Sequence, residues 1–391
     1  MIRVPGLLAT RMLLVAVVAL AAASGVEAPA DGAPASCGHW SRIVSPGIGT
    51  SPSELGAVAA TSDTDAWAVG DWLNGLNYRT LIERWDGTTW SVAPSPNMGG
   101  GTNSLTDVAA LSPTDAWAVG FSASGASFRT LAMHWDGGTW TTVPTPNLGR
   151  GENALLAIAA ASPTDLWAVG YRQDRHTAPR RPLILHGNGT KWRIVPSPGA
   201  GANESFLYDV TVPGPADAWA VGSAGNAPRT LRWNGRTWSP VRAPMRGDGA
   251  NFLFGVAASS PTNVRAVGTY EVTRGPYVRT RSLAQRWTGT RWVKTPSADP
   301  AGDYDGLNAV AAAAPFDWWA VGERRATFPG AFRTLAEHWD GSRWSVAWTP
   351  NLGPGDNHLF DVARIPGASA FWAVGSGSSS NGDVTLIARY C

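Results

Sequence analysis

The sequence predicts an all-β protein, a seven-bladed β-propeller whose last blade is completed by both ends of the chain. Three observations predict it. One phrase recurs seven times, each recurrence leaves room for four short strands, and the unit left unfinished at the C-terminus is finished near the N-terminus. The phrase is D-A-W-A-V-G at 65–70, 115–120 and 217–222, and D-L-W-A-V-G at 165–170. It varies to N-V-R-A-V-G at 263–268, D-W-W-A-V-G at 317–322 and A-F-W-A-V-G at 370–375. Successive copies begin 50, 50, 52, 46, 54 and 53 residues apart. A second phrase follows the first six copies. It is W-D-G-T-T-W at 85–90, W-D-G-G-T-W at 135–140, G-N-G-T-K-W at 187–192, W-N-G-R-T-W at 233–238, W-T-G-T-R-W at 287–292 and W-D-G-S-R-W at 339–344. The 21 tryptophans, far more than packing requires, are themselves a sign of repetition.

Each repeat reads as four strands, and the second shows the logic best. The first is short and apolar, as in L-T-D-V-A-A at 105–110, and S-P-T-D at 112–115 puts proline where a type I turn wants it. In the second strand Trp117 and Val119 face one way and Ala116, Ala118 and Gly120 the other. One bulky and one thin face suit stacking on an identical neighbour. The third strand, 129–135, sets Arg129, Leu131, Met133 and Trp135 on one face. Asp136-Gly137 is a hairpin signal, and the fourth strand starts at Trp140. The third strand of the fourth repeat, 229–233, is two residues short, which leaves every side chain on its own face. No segment shows helical periodicity.

The closure follows from the register. T-L-I-A-R-Y at 385–390 aligns with 80–85, and the chain stops at Cys391. The missing fourth strand, 40–46, aligns with 90–96. Cys391 then falls in the slot of Asp86 and Cys37 in that of Gly87. The only two cysteines sit side by side in an interrupted hairpin, and a Cys37–Cys391 disulfide is expected in an exported protein.

Export is expected from the first residues. Arg3 and Arg11 precede and open an apolar run of twelve at 12–23, and Val26-Glu27-Ala28 offers a cleavage site. The run is too short to span a bilayer. The division is therefore a signal peptide at 1–28, a linker at 29–36 and the propeller at 37–391, secreted after cleavage near Ala28. A net charge of +2 argues against a nucleic-acid or anionic-membrane partner.

The two phrases resemble the W-x-V-G and W-D-G-x-x-W propeller repeats of secreted bacterial proteins. They are distantly similar to kelch repeats, to sialidase Asp-boxes and to tachylectin-like lectins. The chain departs from two of these: Asp86 and Asp136 directly precede glycine, unlike an Asp-box acid, and the kelch double glycine is absent. The lectin resemblance implies glycan binding.

No cofactor or metal is expected. A sialidase-like site would need unequal blades, yet arginine recurs at the start of the third strand as Arg79, Arg129, Arg181, Arg229, Arg281 and Arg333, which reads as a structural device. The six histidines lack metal-ligand spacing, and His134 and His338 hold equivalent strand positions. Asp65, Asp115, Asp165, Asp217 and Asp317 hold one turn position and are expected to bond backbone amides there. Variation between repeats concentrates in the loops after the second strand: 71–78, 121–128, 171–180 and 269–280. The candidate ligand residues are Trp72, Tyr78, Arg79, Arg129, Tyr171, Tyr270, Tyr277 and Arg333, with Trp72 first. The expected function is non-enzymatic: lectin-like recognition of cell-surface or extracellular glycans. The alternative is a protein-interaction scaffold or targeting subunit of a secreted, toxin-like assembly, and a glycoside hydrolase or lyase stands third. The propeller is expected to be a monomer, alone or within a larger secreted complex.

Overall fold

The computed structural model describes residues 38–391 other than 50, 126, 200, 202, 301, 380 and 381. The described residues form 28 strands and no helix, and no helix is long and apolar enough to cross a membrane. The strands make five four-stranded sheets and one of eight. The eight-stranded sheet divides into two four-stranded halves joined by a single parallel pairing, Thr280 with Tyr304. The first unit shows the plan: Ser53–Ser62, Asp65–Asn74, Asn77–Trp85 and Trp90–Val92 lie side by side in chain order, all antiparallel. Its first strand bulges between Leu55 and Ala57. The glycine of the first phrase faces that strand so closely that a Cβ on Gly70 would lie 2.0 Å from the Glu54 carbonyl oxygen. Every copy keeps glycine there because no side chain fits.

Units pack in a closed circuit, each on the next and the last on the first, with the first strands nearest the axis. The two-faced second strand drives this. Apolar clusters each straddle a pair of neighbours, as where Trp67, Val69 and Ile82 of unit one meet Leu105, Val108 and Leu131 of unit two. The second-strand ring inserts between the third- and fourth-strand tryptophans of the next unit. Trp67 lies 5.0 Å from Trp135 and 5.1 Å from Trp140, and Trp219 lies 4.7 Å from Trp287 and 5.2 Å from Trp292. Arg265 replaces this tryptophan in unit five without breaking the pattern. Its guanidinium stands 4.0 Å from the Trp339 ring and 5.8 Å from Trp344, a flat cation in an aromatic socket. Burial, with Arg286 nearby, lowers its pKa to about 10.

The closing unit pairs Trp40–Ile43 with Gly382–Tyr390, matching Trp40 with Tyr390 and Ile43 with Ile387. Trp40 is buried 5.3 Å from Trp319, so the N-terminal strand supplies the fourth-strand ring that the C-terminus lacks. The Gly38 amide donates to the Cys391 carbonyl, and Arg389 pairs with Asp63 of unit one. Cys37, the 1–28 segment and the 29–36 linker lie outside the described residues.

Three expectations are corrected in detail. Among the described residues the aspartates at 65, 115, 165, 217 and 317 bond third-strand side chains and no turn amide. In units one to three the turn serine does that, as where Ser62 Oγ accepts from the Thr64 amide. The carboxylates reach instead to the third strand, where Asp65 accepts from Arg84 at 2.9 Å and Asp115 meets His134 at 2.9 Å. Those partners lie over the second-strand ring; His134 stacks on Trp117 at 4.3 Å. Second, Arg229 is not the counterpart of Arg79. Arg79 pairs with Trp72, whereas Arg229 pairs with Gly222, the slot that Leu81 fills opposite Gly70. The lost residues come from the start of the strand, and the face is preserved. Third, the variable segments at 71–78, 121–128 and 269–280 are mostly strand, continuing to tight turns such as Gly75-Leu76, where Gly75 takes a φ of 64°.

Candidate functional site

In each antiparallel unit the turn between strands two and three and the linker to the next unit emerge on one face, called the loop face here. Linker backbone has no strand partner, so its carbonyls must find donors elsewhere. The recurring arginines supply them. Arg79 donates to the carbonyls of Gly99, Gly100 and Gly101 at 3.3, 3.4 and 3.2 Å, and Arg333 to Gly353, Pro354 and Gly355 at 2.7, 3.1 and 3.2 Å. Arg129 reaches Gly151 at 3.3 Å. Buried asparagines finish the linkers: Asn103 accepts from the Met98 amide at 2.8 Å and donates to the carbonyls of Met98 and Gly101. Asn153 and Asn251 do the same, and Asn357 accepts from the Leu352 amide and donates to the Gly353 and Gly355 carbonyls, a device that sequence reading missed although an asparagine stands two residues before the first-strand leucine in each case.

The candidate ligand residues are spread over five units. Trp72 is a strand residue opposite Arg79, half-buried against the cluster between the closing unit and unit one. Tyr78 is half-buried, and burial with Asp71 nearby raises its pKa. Tyr171 is buried against Phe206 at 5.3 Å, under the Arg180 guanidinium. Arg180 itself binds both Glu152 oxygens, at 2.8 and 3.2 Å, and Glu204 at 3.3 Å. Tyr270 is buried in the cluster between units four and five. Tyr277, by contrast, is 70% exposed.

Tyr277 stands on a projection. The hairpin of unit one runs four residues past Gly70 to Asn74, and that of unit five runs six past Gly268 to Arg274. The hairpin of unit four runs only two past Gly222 to Ala224. At about 3.3 Å per residue, unit five rises roughly 13 Å above its neighbour. The tip carries Tyr277 and Val278, 70% and 61% exposed, and Phe328 of unit six is 74% exposed. Asp303 ties the two units together. Its carboxylate accepts from the Phe328 amide at 3.0 Å and lies 3.6 Å from Arg279 Nε, while its carbonyl accepts from the Thr280 amide. Arg325 lies 5.0 Å from the Phe328 ring and 4.7 Å from Phe332. The result is an anchored ridge of exposed aromatic and aliphatic surface set among arginines. Val278 was not among the candidates; the signal for it was the longest repeat spacing, 54 residues.

Nearer the axis, Glu323 accepts from Asn308 at 2.7 Å and lies 3.8 Å from His358 Nδ1, and Asn308 also donates to the Leu359 carbonyl. These groups bridge unit six to the closing unit. Among the described residues no group of three or more histidines, cysteines or carboxylates is placed to hold a metal.

Comparison with known proteins identifies a β-propeller fold. No family model matches the chain, and no curated protein matches it in sequence. Solved structures do match. One, described as YCF48 bound to D1 peptide, aligns over 91% of this chain and 98% of its own, with a TM-score of 0.56 and 14% identity. The structure of U3-55K covers 90% and 98% with a TM-score of 0.55 and 9% identity. A protein of unknown function from Dyadobacter fermentans covers 91% and 99% with a TM-score of 0.53 and 9% identity. At these identities the likeness is one of fold.

Proposed function

We propose that the chain is a secreted, non-enzymatic, seven-bladed β-propeller that recognises a partner protein through the ridge of units five and six. The observation that carries the reading is the exposed Tyr277, Val278 and Phe328, three large apolar side chains on an anchored projection flanked by Arg279 and Arg325. Protein interfaces concentrate their binding energy in such aromatic and arginine clusters. A rigid mount adds to it, because little conformational freedom is lost on binding. The count of seven takes the two halves of the eight-stranded sheet as separate blades, which the apolar clusters between successive units support. The structural neighbour described as peptide-bound is a propeller that engages another chain, and this agrees with a binding role here. Secretion rests on the N-terminal pattern.

Glycan recognition is the second reading, because the exposed Tyr277 ring beside arginines also offers a face for a sugar. One experiment separates the two. A photoreactive phenylalanine is placed at 277 and, as control, at 316, since Phe316 is equally exposed on the opposite face at 71%. The secreted protein is cross-linked in its own extracellular medium and tested on a glycan array. The expected result is a specific protein adduct from 277 and none from 316. Array binding competed by free sugar would favour the glycan reading, and no specific adduct at 277 would overturn the proposal.

The Cys37–Cys391 bond belongs to the same reading, because Gly38, next to Cys37, is hydrogen-bonded to Cys391. Peptide mapping of the exported protein without reductant is expected to recover the two cysteines cross-linked. Cys37→Ser is expected to lower the melting temperature with strand content unchanged, since the cross-link acts mainly on the unfolded chain. Recovery of both as free thiols would contradict it.

A further inference from the structure

The outermost strand of a sheet leaves alternate amides and carbonyls unpaired, a template on which another chain can add. Every unit ends in such a strand, and in unit six it is Trp344–Ala347, the last in its sheet. The amides of Ala93, Val143, Val195 and Val241 in units one to four donate inward to the third strand. Because pairing alternates, the residues just before and just after them turn their amides outward. Five units place proline at one of these two outward positions: Pro94, Pro144, Pro196 and Pro296 after, Pro240 before. Proline has no N–H to offer, so it blunts the edge. In the closing unit the positions hold Arg42 and Val44, and a charge on the edge also deters pairing. Unit six holds Val346 and Trp348, neither proline nor charge, and they are 44% and 70% exposed. Between them Ala347 pairs with Ala336, the counterpart of the Ile82 that takes the Ala93 amide. Four units are built with proline where Trp348 stands, so the packing of the blade gives no reason for an exposed tryptophan there.

We propose that the outer edge of unit six docks an extended segment of another protein, which adds to the blade as a fifth strand. The segment is proline-free and uncharged over about five residues, with apolar side chains at alternate positions. Main-chain bonds at Val346 and Trp348 supply affinity, and the two exposed side chains select apolar residues opposite them. Residues 344–350 carry no charge, so a charged strand would find no counter-ion along this edge. A second copy of the chain fits less well. Two discs meeting along this edge would share about five residues a side, against the roughly 20–30 of a stable interface. The edge is separate from the ridge and does not depend on the reading of the ridge.

The test is calorimetric titration of the mature protein with the peptide KTVTVTE. Saturable binding is expected, with the same peptide N-methylated at every inner amide weaker by roughly tenfold or more, as for loss of several hydrogen bonds. Trp348→Pro gives unit six the proline of units one, two, three and five. It is expected to melt as the parent does and to lose at least about tenfold in affinity. Should that variant misfold, Val346→Lys, which copies Lys294 of unit five, carries the same comparison. Tyr277→Ala with Phe328→Ala is expected to bind the peptide as the parent does. No binding at millimolar peptide, equal binding of the N-methylated form, unchanged affinity in a folded edge variant, or loss in the ridge variant would each overturn the proposal. So would a dimer, seen by sedimentation equilibrium and abolished by Trp348→Pro, since it would assign the edge to a second copy.

Discussion

Trp117→Ala is expected to destabilise the protein by about 3–5 kcal/mol, the cost of removing a large buried ring and leaving the space empty. Trp117 is 1% exposed, stacks on His134 at 4.3 Å and meets Trp192 of the next unit at 5.7 Å. It belongs to the contact that every unit makes with its successor, so the loss falls on a joint of the circuit. Chemical denaturation read by tryptophan fluorescence and by circular dichroism measures it. A variant as stable as the parent would mean that the rings do not hold the units together.

The second large effect is a loss of stability as pH rises. Glu83 of unit one and Glu337 of unit six are fully buried at equivalent third-strand positions, and each braces the linker of the preceding unit. Glu83 accepts from Ser45 Oγ at 2.9 Å and from the Gly47 amide at 3.2 Å, and Glu337 accepts from the Ala298 amide at 2.9 Å. Burial pushes both up to about 7 from an ordinary 4.5. A carboxyl that keeps its proton in the fold but loses it on unfolding stabilises fully below pH 4.5, and that contribution is lost as pH rises through 7. Each group is worth roughly 3 kcal/mol at full extent. Asp209, raised to about 7, and Asp361, raised to about 6, act in the same direction from positions beside the axis. The melting temperature is therefore expected to be lower at pH 8 than at pH 5. The double variant Glu83→Gln, Glu337→Gln is expected to flatten the profile. Glutamine fits the slot, because Gln285 occupies it in unit five and donates to the Pro244 carbonyl at 2.8 Å. A flat parent profile, or a double variant as pH-dependent as the parent, would contradict this.

The four-strand plan was legible because its cause is local. Alternation in W-A-V-G sets a bulky face against a thin one, and glycine stands where a Cβ would strike the adjacent strand. The pairing of 40–43 with 387–390 was legible as register, since a strand's parity cannot slip without exposing its core face. What the linkers do was harder to read. Arg79 and Arg333 look like binding residues until the glycine carbonyls they hold are placed beside them, and that needs the path of the linker. Tyr171 could have been recognised as buried by counting in twos from Trp167 and Val169, but it was read as the first residue of a loop. The step between units four and five was present in the spacings of 46 and 54 residues. Its consequences, a leucine slot holding Arg229 and a raised tip holding Tyr277, appear only when each hairpin is counted from its own glycine.

The measurement that bears most directly on the account is the affinity of the partner captured at position 277 for three versions of the protein. Tyr277→Ala with Phe328→Ala is expected to weaken binding at least about tenfold with the melting temperature unchanged, as for removal of central aromatic contacts. Phe316→Ala, on the opposite face, is expected to bind as the parent does. Equal affinity of all three, or loss confined to the Phe316 variant, would contradict the assignment of the ridge as the recognition surface.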